Sequence, residues 1–92
     1  MKLNDVQIDQ KLESLPDWHL NGTQIVRDFH FENFKMALAF VNRVADLAEW
    51  VNHHPDILIH SYNRVRLSVS THDAGGLTDK DFDLAKQINL FA

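Results

Sequence analysis

The chain has 92 residues, of which 45% are hydrophobic and 24% charged, and its formal net charge is −4. This composition excludes a disordered or fibrous chain, and the length predicts one domain spanning 1–92. The acidic balance argues against direct binding of nucleic acid or anionic lipid, and the absence of cysteine excludes a disulfide framework and a thiolate metal site.

The chain also lacks the features of a membrane or exported protein. No apolar run approaches the ~20 residues that a membrane span requires, and the first residues, MKLND, lack the apolar region of a signal peptide. A chain without cysteine fits a reducing compartment. We therefore expect a cytoplasmic protein with no membrane partner.

The N-terminal third predicts a short helix followed by a β-hairpin. Asn4 can cap the helix with Gln7 as its capping-box partner, and Pro16 ends the helical spacing of apolar residues. The Asn-Gly dipeptide at 21–22 predicts a type I′ turn, which has positive φ at both central residues. The second strand of this hairpin is expected over 24–31.

A long central helix is predicted over 34–52, with Asn33 as its cap. Its apolar residues fall into two neighbouring stripes. One stripe contains Phe34, Ala37, Leu38, Val41, Ala45, Ala48 and Val51, and the other contains Met36, Phe40, Leu47 and Trp50. A helix on a one-layer fold buries one stripe, so the second predicts an interface with another subunit. The alternative is that both stripes belong to one wide core face.

A second hairpin follows the central helix. Pro55 is expected to end that helix, because the residue before a proline is disfavoured in the helical region. Strands are predicted over 57–62 and 64–71, with Asn63 in the turn between them. If strand geometry continues for one more residue, His72 joins the polar face of the second strand.

The last helix is predicted to start after Thr78, which can form a capping box with Asp81. The order is then helix, hairpin, long helix, hairpin, helix. This order predicts an α+β fold, in which a four-stranded antiparallel sheet made of two hairpins carries three helices on one face.

Six histidines are the most unusual feature of the composition. Glu49 and His53 lie four residues apart at the end of the central helix, so the carboxylate can accept a hydrogen bond from the imidazole and fix its tautomer. His54 diverges from His53 where the helix ends. His72 lies at the end of the second hairpin, which starts beside that helix end and returns to it. The pattern therefore predicts three imidazoles and a carboxylate at one rim.

Such a cluster favours acid–base chemistry without a metal. His53, His72 and Glu49 could form a three-ligand site, but adjacent histidines rarely bind one ion, so we predict no metal. A serine triad is weaker still, since the chain has no Gly-x-Ser-x-Gly elbow. Imidazole titrates near neutral pH, so one ring can donate a proton while another accepts one. This pair suits a reaction that expels hydroxide from one atom and a proton from its neighbour.

Purely structural roles stay open for several of these residues. Glu49 could be a solvated helix residue, His54 a cap of the helix carbonyls, and His72 a surface histidine. Asp81 has its capping role, and Tyr62 is expected to be a sheet or interface aromatic. Three further histidines are predicted to have no catalytic role: His19, His30 and His60.

The motif residues resemble the pterin-4a-carbinolamine dehydratase family. The segments that carry the resemblance are Glu49-Trp50-Val51-Asn52-His53-His54-Pro55, Tyr62, Ser70-Thr71-His72, Gly76-Leu77-Thr78 and Asp81. The resemblance extends over nearly the whole chain. It implies a four-stranded antiparallel sheet with three helices, and a homodimer or homotetramer that associates through the long helix.

The resemblance also implies an activity and roles for individual residues. The activity is the dehydration of 4a-hydroxytetrahydropterin to quinonoid dihydropterin, a step of tetrahydropterin recycling, with the pterin as substrate and no metal or organic cofactor. The site residues so implied are His53 and His72 as general acid or base, His54 in substrate binding, Glu49 as a support, Ser70 and Thr71 lining the pterin, and Asp81 as a possible support. The alternatives are a dimerisation module of a transcription factor, or the handling of another pterin such as molybdopterin.

Overall fold

The computed structural model describes all residues from 1 to 92. The elements are α1 (Asp5–Leu12), β1 (His19–Asn21), β2 (Gln24–His30), α2 (Phe34–Val51), β3 (Asp56–His60), β4 (Arg64–Val69) and α3 (Asp79–Asn89), with a 3₁₀ turn at His72–Ala74 before α3. The strands form one antiparallel sheet in the order β1-β2-β4-β3. The α+β fold with three helices and a four-stranded sheet is therefore confirmed.

The core lies between the helices and one face of the sheet. On β4 the residues alternate between exposed and buried, and Val65, Leu67 and Val69 are fully buried. They belong to one cluster with buried residues of all three helices, among them Phe82 of α3. The other face of the sheet carries the polar residues of the same strands.

Both predicted capping boxes are present. Asn4 and Gln7 exchange hydrogen bonds at the start of α1, and Thr78 and Asp81 do so at the start of α3. Asn33 caps α2 through a hydrogen bond from the Met36 N–H. None of these helices is long and apolar enough to span a bilayer.

The predicted division of α2 into two stripes is wrong. The buried residues are Ala37, Phe40, Val44 and Ala48, so Phe40 belongs to the core, where its ring lies 4.6 Å from that of Phe29. Members of the first stripe are instead exposed: Phe34, Leu38 and Ala45. Apolar residues occupy more than half of the helix circumference, so their spacing did not determine which face turns toward the sheet.

Both hairpin turns differ from their predictions. Asn21 pairs with Gln24 inside the first hairpin, so its loop is Gly22-Thr23, and only Gly22 has positive φ, at 64°. The type I′ turn at 21–22 is therefore wrong. In the second hairpin β3 ends at His60, and the turn passes through Ser61 and Tyr62 at φ values of 52° and 56°.

These turn conformations place Tyr62 outside the sheet and leave it exposed. Asn63 lies in the turn as predicted, but its side chain is buried. The Asn63 amide donates hydrogen bonds to the Phe31 carbonyl at 3.0 Å and to His30 Nε2 at 2.9 Å. The side chain of Asn63 thus ties the tip of the second hairpin to the end of β2.

The two elements that flank the histidine motif compare differently with prediction. The helix ends at Val51 with the left-handed Asn52 (φ 54°) as its C-cap, in agreement with the predicted range 34–52, but the residue that stops it is Asn52 rather than Pro55. This left-handed residue is a common helix stop, and a proline often follows it. Strand β4 ends at Val69 rather than Thr71, which forms an isolated bridge with Gly76, and His72 opens the 3₁₀ turn instead of extending the strand.

Candidate active site

The end of α2 separates the two adjacent histidines. After the left-handed residue Asn52, the N–H of His53 bonds to the Ala48 carbonyl, which closes the last turn of the helix. The side chain of His53 points into the protein and is 14% exposed, whereas that of His54 is 55% exposed. The imidazoles of His53 and His54 consequently have different carboxylate partners.

The partner of His53 is Asp81, which is completely buried at the start of α3. His53 Nε2 lies 2.6 Å from Asp81 Oδ1. The second carboxylate oxygen accepts hydrogen bonds from the Thr78 N–H and from the Thr71 hydroxyl, each at 2.9 Å. Asp81 therefore performs its capping role with one oxygen and holds an imidazole with the other.

This arrangement determines the tautomer of His53. An ionised carboxylate only accepts hydrogen bonds, so the proton between His53 and Asp81 belongs to Nε2. The other ring nitrogen, Nδ1, is then free to act on a ligand. A histidine oriented by a buried carboxylate is the usual arrangement of a general acid–base residue.

The partner of Glu49 is His54, not His53. Glu49 Oε2 and His54 Nε2 form a hydrogen bond, and both side chains are largely exposed. The predicted pairing of Glu49 with His53 is therefore wrong. The pairing differs because the left-handed Asn52 interrupts the helical spacing before His53. His54, rather than His53, is therefore the residue that turns back toward Glu49.

Five of the predicted site residues line a polar cavity of about 320 Å³ between the end of α2, the end of β4 and the start of α3. Its lining has no hydrophobic residue and consists of Asn52, His53, His54, Ser70, Thr71, His72, Asp73 and Lys80. A second depression of about 300 Å³ adjoins it on the polar face of the sheet. That depression shares His54, Ser70 and His72 and adds Gln24, Asp56 and Ser68.

Sequence comparison places the chain in a known family. The family model described as pterin 4 alpha carbinolamine dehydratase matches residues 1–91. The chain belongs to this family. A relative from Chloroflexus aurantiacus is 54% identical over 88 residues, covering 96% of this chain and 94% of its own. A relative from Acidobacterium capsulatum is 54% identical over 87 residues, covering 95% and 94%. Both relatives are provisionally named as pterin-4-alpha-carbinolamine dehydratases.

Solved structures agree with this assignment. The crystal structure of a transcriptional coactivator/pterin dehydratase from Brucella melitensis has a TM-score of 0.91 and 32% identity, covering 98% of this chain and 97% of that one. A pterin dehydratase-like protein identified as a RuBisCO assembly factor in the alpha-carboxysome has a TM-score of 0.64 and 16% identity, covering 79% and 83%. The second similarity concerns the fold alone. The family resemblance inferred from the motif is confirmed.

Within this family fold, the structure brings most of the predicted site residues together. His53, His54, Ser70, Thr71 and His72 line one cavity. The two predicted carboxylates, those of Asp81 and Glu49, contact the lining residues without lining the cavity themselves. Asp81 contacts His53 and Thr71 from the core, and Glu49 contacts His54 from the solvent side. No three side chains of the His, Cys, Asp and Glu types are close enough together to hold a metal ion.

Sequence reasoning missed several lining residues, of which Lys80 brings a full positive charge. Lys80 is the second residue of α3 and directly precedes Asp81. Its position beside a capping box could have indicated that it lies near the cavity. Asn52 could have been recognised as a left-handed helix stop, since asparagine tolerates that conformation better than most residues. Gln24 and Asp56 belong to strands whose positions in the sheet bring them to the adjoining depression, and no local signal marks them.

Proposed function

We propose that this protein dehydrates a 4a-hydroxytetrahydropterin to the quinonoid dihydropterin and water, as a step of tetrahydropterin recycling. The observation that carries this proposal is the contact between buried Asp81 and His53 at a polar cavity that also contains His54 and His72. Membership of the family supports the substrate class. The polar lining suits a pterin, whose ring edge carries several hydrogen-bond donors and acceptors.

The reaction needs two coupled proton transfers. The hydroxyl on C4a leaves as water after it receives a proton, and the adjacent N5–H loses a proton as the C4a–N5 double bond forms. His53, with Nδ1 free, performs one of these transfers, and His72, which lines the same cavity, performs the other. Positioned acid–base groups accelerate such steps by roughly 10²- to 10⁴-fold.

The remaining site residues bind the substrate or support the catalytic pair. His54 contacts the pterin, and Glu49 holds the His54 imidazole in place. Ser70 and Thr71 line the pterin site at the end of β4. Asp81 is a positioning residue for His53. We propose that the reaction requires neither a metal nor an organic cofactor, because proton transfer by imidazoles accounts for both steps.

We also propose that the protein forms a homodimer or homotetramer through α2. Phe34, Leu38 and Ala45 share one helix face and are exposed although they are apolar. A second subunit would bury this face. Sedimentation velocity would test it, with Leu38→Lys expected to reduce the oligomer and Leu90→Lys, at an exposed leucine outside α2, expected to leave it unchanged. An unchanged Leu38→Lys oligomer would contradict this interface.

The experiment that tests the activity is stopped-flow dehydration of freshly generated 4a-hydroxytetrahydropterin in the presence of EDTA. We expect the wild-type protein to raise the rate above that of spontaneous dehydration. EDTA should not reduce this acceleration. A wild-type rate equal to the spontaneous rate would refute the enzyme proposal, and a loss of activity in EDTA would refute its metal-free form.

The alternative is a non-catalytic dimerisation or binding module. The exposed apolar side chains of α2 favour a binding module as much as they favour self-association. The most exposed of them is Trp50, at 87%. The Brucella melitensis relative is described as a transcriptional coactivator as well as a pterin dehydratase. This alternative predicts that His53→Ala and His72→Ala change no function of the protein, whereas substitutions on α2 abolish partner binding.

A further inference from the structure

The polar face of the sheet carries a second group of basic side chains, separate from the candidate active site. In the register of the sheet, Arg64 of β4 lies directly between His30 of β2 and His60 of β3. Side chains at such positions are immediate neighbours on one face. These three residues, together with Asp28 and Arg66, line a depression of about 360 Å³.

Arg64 differs from the neighbouring Arg66 in having no acidic partner. Asp28 accepts two hydrogen bonds from Arg66, at 2.7 Å and 3.1 Å. This pairing lowers the pKa of Asp28, so the carboxylate stays ionised and is occupied by Arg66. The guanidinium of Arg64 takes part in none of the five ion pairs of the protein. The row His30–Arg64–His60 therefore contains a guanidinium that forms no ion pair with a carboxylate.

In each imidazole one ring nitrogen has a hydrogen-bonding partner within the protein, and the other nitrogen is left as an available N–H donor. The Asn63 amide donates to His30 Nε2, so the neutral ring of His30 carries its proton on Nδ1. His60 Nδ1 lies 3.1 Å from the Ser61 hydroxyl, which can donate to it and leave the proton on Nε2. The depression is thus bordered by one guanidinium fork and two imidazole donors.

We infer that the row His30–Arg64–His60 is a binding site for an oxyanion, the phosphate or carboxylate group of a small molecule. A guanidinium binds both groups through two parallel hydrogen bonds, and the imidazoles supply further donors to the remaining oxygens. The chain as a whole is acidic, with a net charge of −4, so this site is a local feature rather than part of a general positive surface.

The oxyanion site is distinct from the dehydratase site. Arg64 lies four residues along β4 from Ser68, which borders the candidate active site, and four residues of strand extend for about 13 Å. This inference therefore does not rest on the proposed function. Binding at one site can be lost while binding at the other is kept.

The test is a titration with inorganic phosphate followed by NMR of the backbone amides and the histidine side chains, at constant ionic strength maintained with chloride. A second titration uses acetate, which distinguishes a phosphate site from a carboxylate site. The variant is Arg64→Gln. Its matched control is Arg43→Gln, which changes an arginine of α2 that stacks on Phe91, 4.5 Å from the ring centroid.

We expect saturable shifts centred on residues 30, 60 and 64, weakened at least about tenfold by Arg64→Gln and unchanged by Arg43→Gln. His53→Ala should retain phosphate binding, because the dehydratase site is separate. Equal affinity of wild type and Arg64→Gln, or the absence of saturable shifts with both phosphate and acetate, would overturn the inference. Shifts that occur equally with chloride would overturn it as well, because they would reflect screening alone.

Discussion

His53 Nε2 and Asp81 Oδ1 lie 2.6 Å apart, although the two residues are separated by 28 positions in the chain. Their contact joins the end of α2 to the first turn of α3. The same carboxylate closes the capping box of α3 through the Thr78 N–H. The orientation of the proposed catalytic imidazole is therefore tied to the start of a helix, where backbone geometry is well defined.

Replacing Asp81 by Asn should reverse the tautomer of His53. The Thr78 N–H requires an acceptor and the Thr71 hydroxyl donates to the same oxygen, so the amide oxygen of Asn would face them and the amide NH₂ would face His53. Nε2 would then have to accept, and the proton would move to Nδ1. We expect the dehydration rate to fall by roughly tenfold to a hundredfold, and ¹⁵N shifts of the His53 ring to report the exchanged tautomer.

Thr78→Ala separates this effect from capping. The variant loses the side-chain cap of α3 but keeps the backbone N–H and the contact between His53 and Asp81. It should lower the free energy of unfolding by about 0.5–2 kcal/mol with little change in rate. If Asp81→Asn and Thr78→Ala reduced the rate equally, Asp81 would be a structural residue only.

Glu49→Gln should have a small effect. Glu49 is 77% exposed and His54 is 55% exposed, so their hydrogen bond is screened by solvent and contributes about 0–1 kcal/mol. We expect the change in kcat/KM to stay within about fivefold and to arise mainly in KM, since Glu49 acts on a substrate-binding residue. Steady-state kinetics would show this, and a loss as large as that of His53→Ala would contradict it.

Local rules predicted much of this fold, because the residues that decide it are close in sequence. The spacing of Thr78 and Asp81 identified the start of α3, and the alternation along β4 identified its buried face. The pairing of Glu49 was mispredicted because a single left-handed residue, Asn52, changes the direction of the chain. The contact between His53 and Asp81 depends on tertiary packing. The local sequence pattern therefore indicated only the capping role of Asp81.

The orientation of α2 shows a second limit of prediction from sequence. Phe40 is buried against Phe29 of β2 and Phe31, which follows β2. Phe34 is exposed, although it belongs to the same apolar helix as Phe40. Hydrophobic spacing locates such a helix but not its rotation when most of its surface is apolar. Contacts with the sheet decide the rotation.

Asn63→Ala should destabilise the second hairpin. The substitution removes the hydrogen bonds to Phe31 and His30 and leaves a carbonyl oxygen without its side-chain donor, at a cost of about 1–3 kcal/mol. Urea denaturation would measure the change in the free energy of unfolding. Asn42→Ala, at an exposed position of α2, is the matched control and should cause no such loss. Equal stabilities of the two variants would contradict a role for the Asn63 side chain.

Asp28 should contribute to the acid sensitivity of the protein. The hydrogen bond from Arg66 holds the pKa of Asp28 below its ordinary value of 3.8. A carboxyl whose pKa is lower in the folded state adds stability above the pKa of the unfolded chain, and this stability disappears as the pH falls through the folded value. Asp28→Asn should therefore lose less stability than the wild type between about pH 5 and about pH 2.

Asp83→Asn controls for the general effect of removing a carboxylate, because Asp83 is exposed on α3 and forms no ion pair. Its acid sensitivity should match that of the wild type. Unfolding midpoints in urea, measured across the acidic range, would decide the comparison. Identical pH profiles for Asp28→Asn and Asp83→Asn would show that the Arg66 pair does not contribute.

We expect His53, held by Asp81, to transfer a proton during dehydration. The most direct test of this expectation is the stopped-flow rate of 4a-hydroxytetrahydropterin dehydration by His53→Ala, beside the wild type and His19→Ala, an exposed histidine of β1 outside the cavity. We expect His53→Ala to lose roughly 10²- to 10⁴-fold of the enzymatic acceleration, or all of it where that acceleration is smaller, and His19→Ala to match the wild type. A His53→Ala rate equal to that of the wild type would contradict this role of His53.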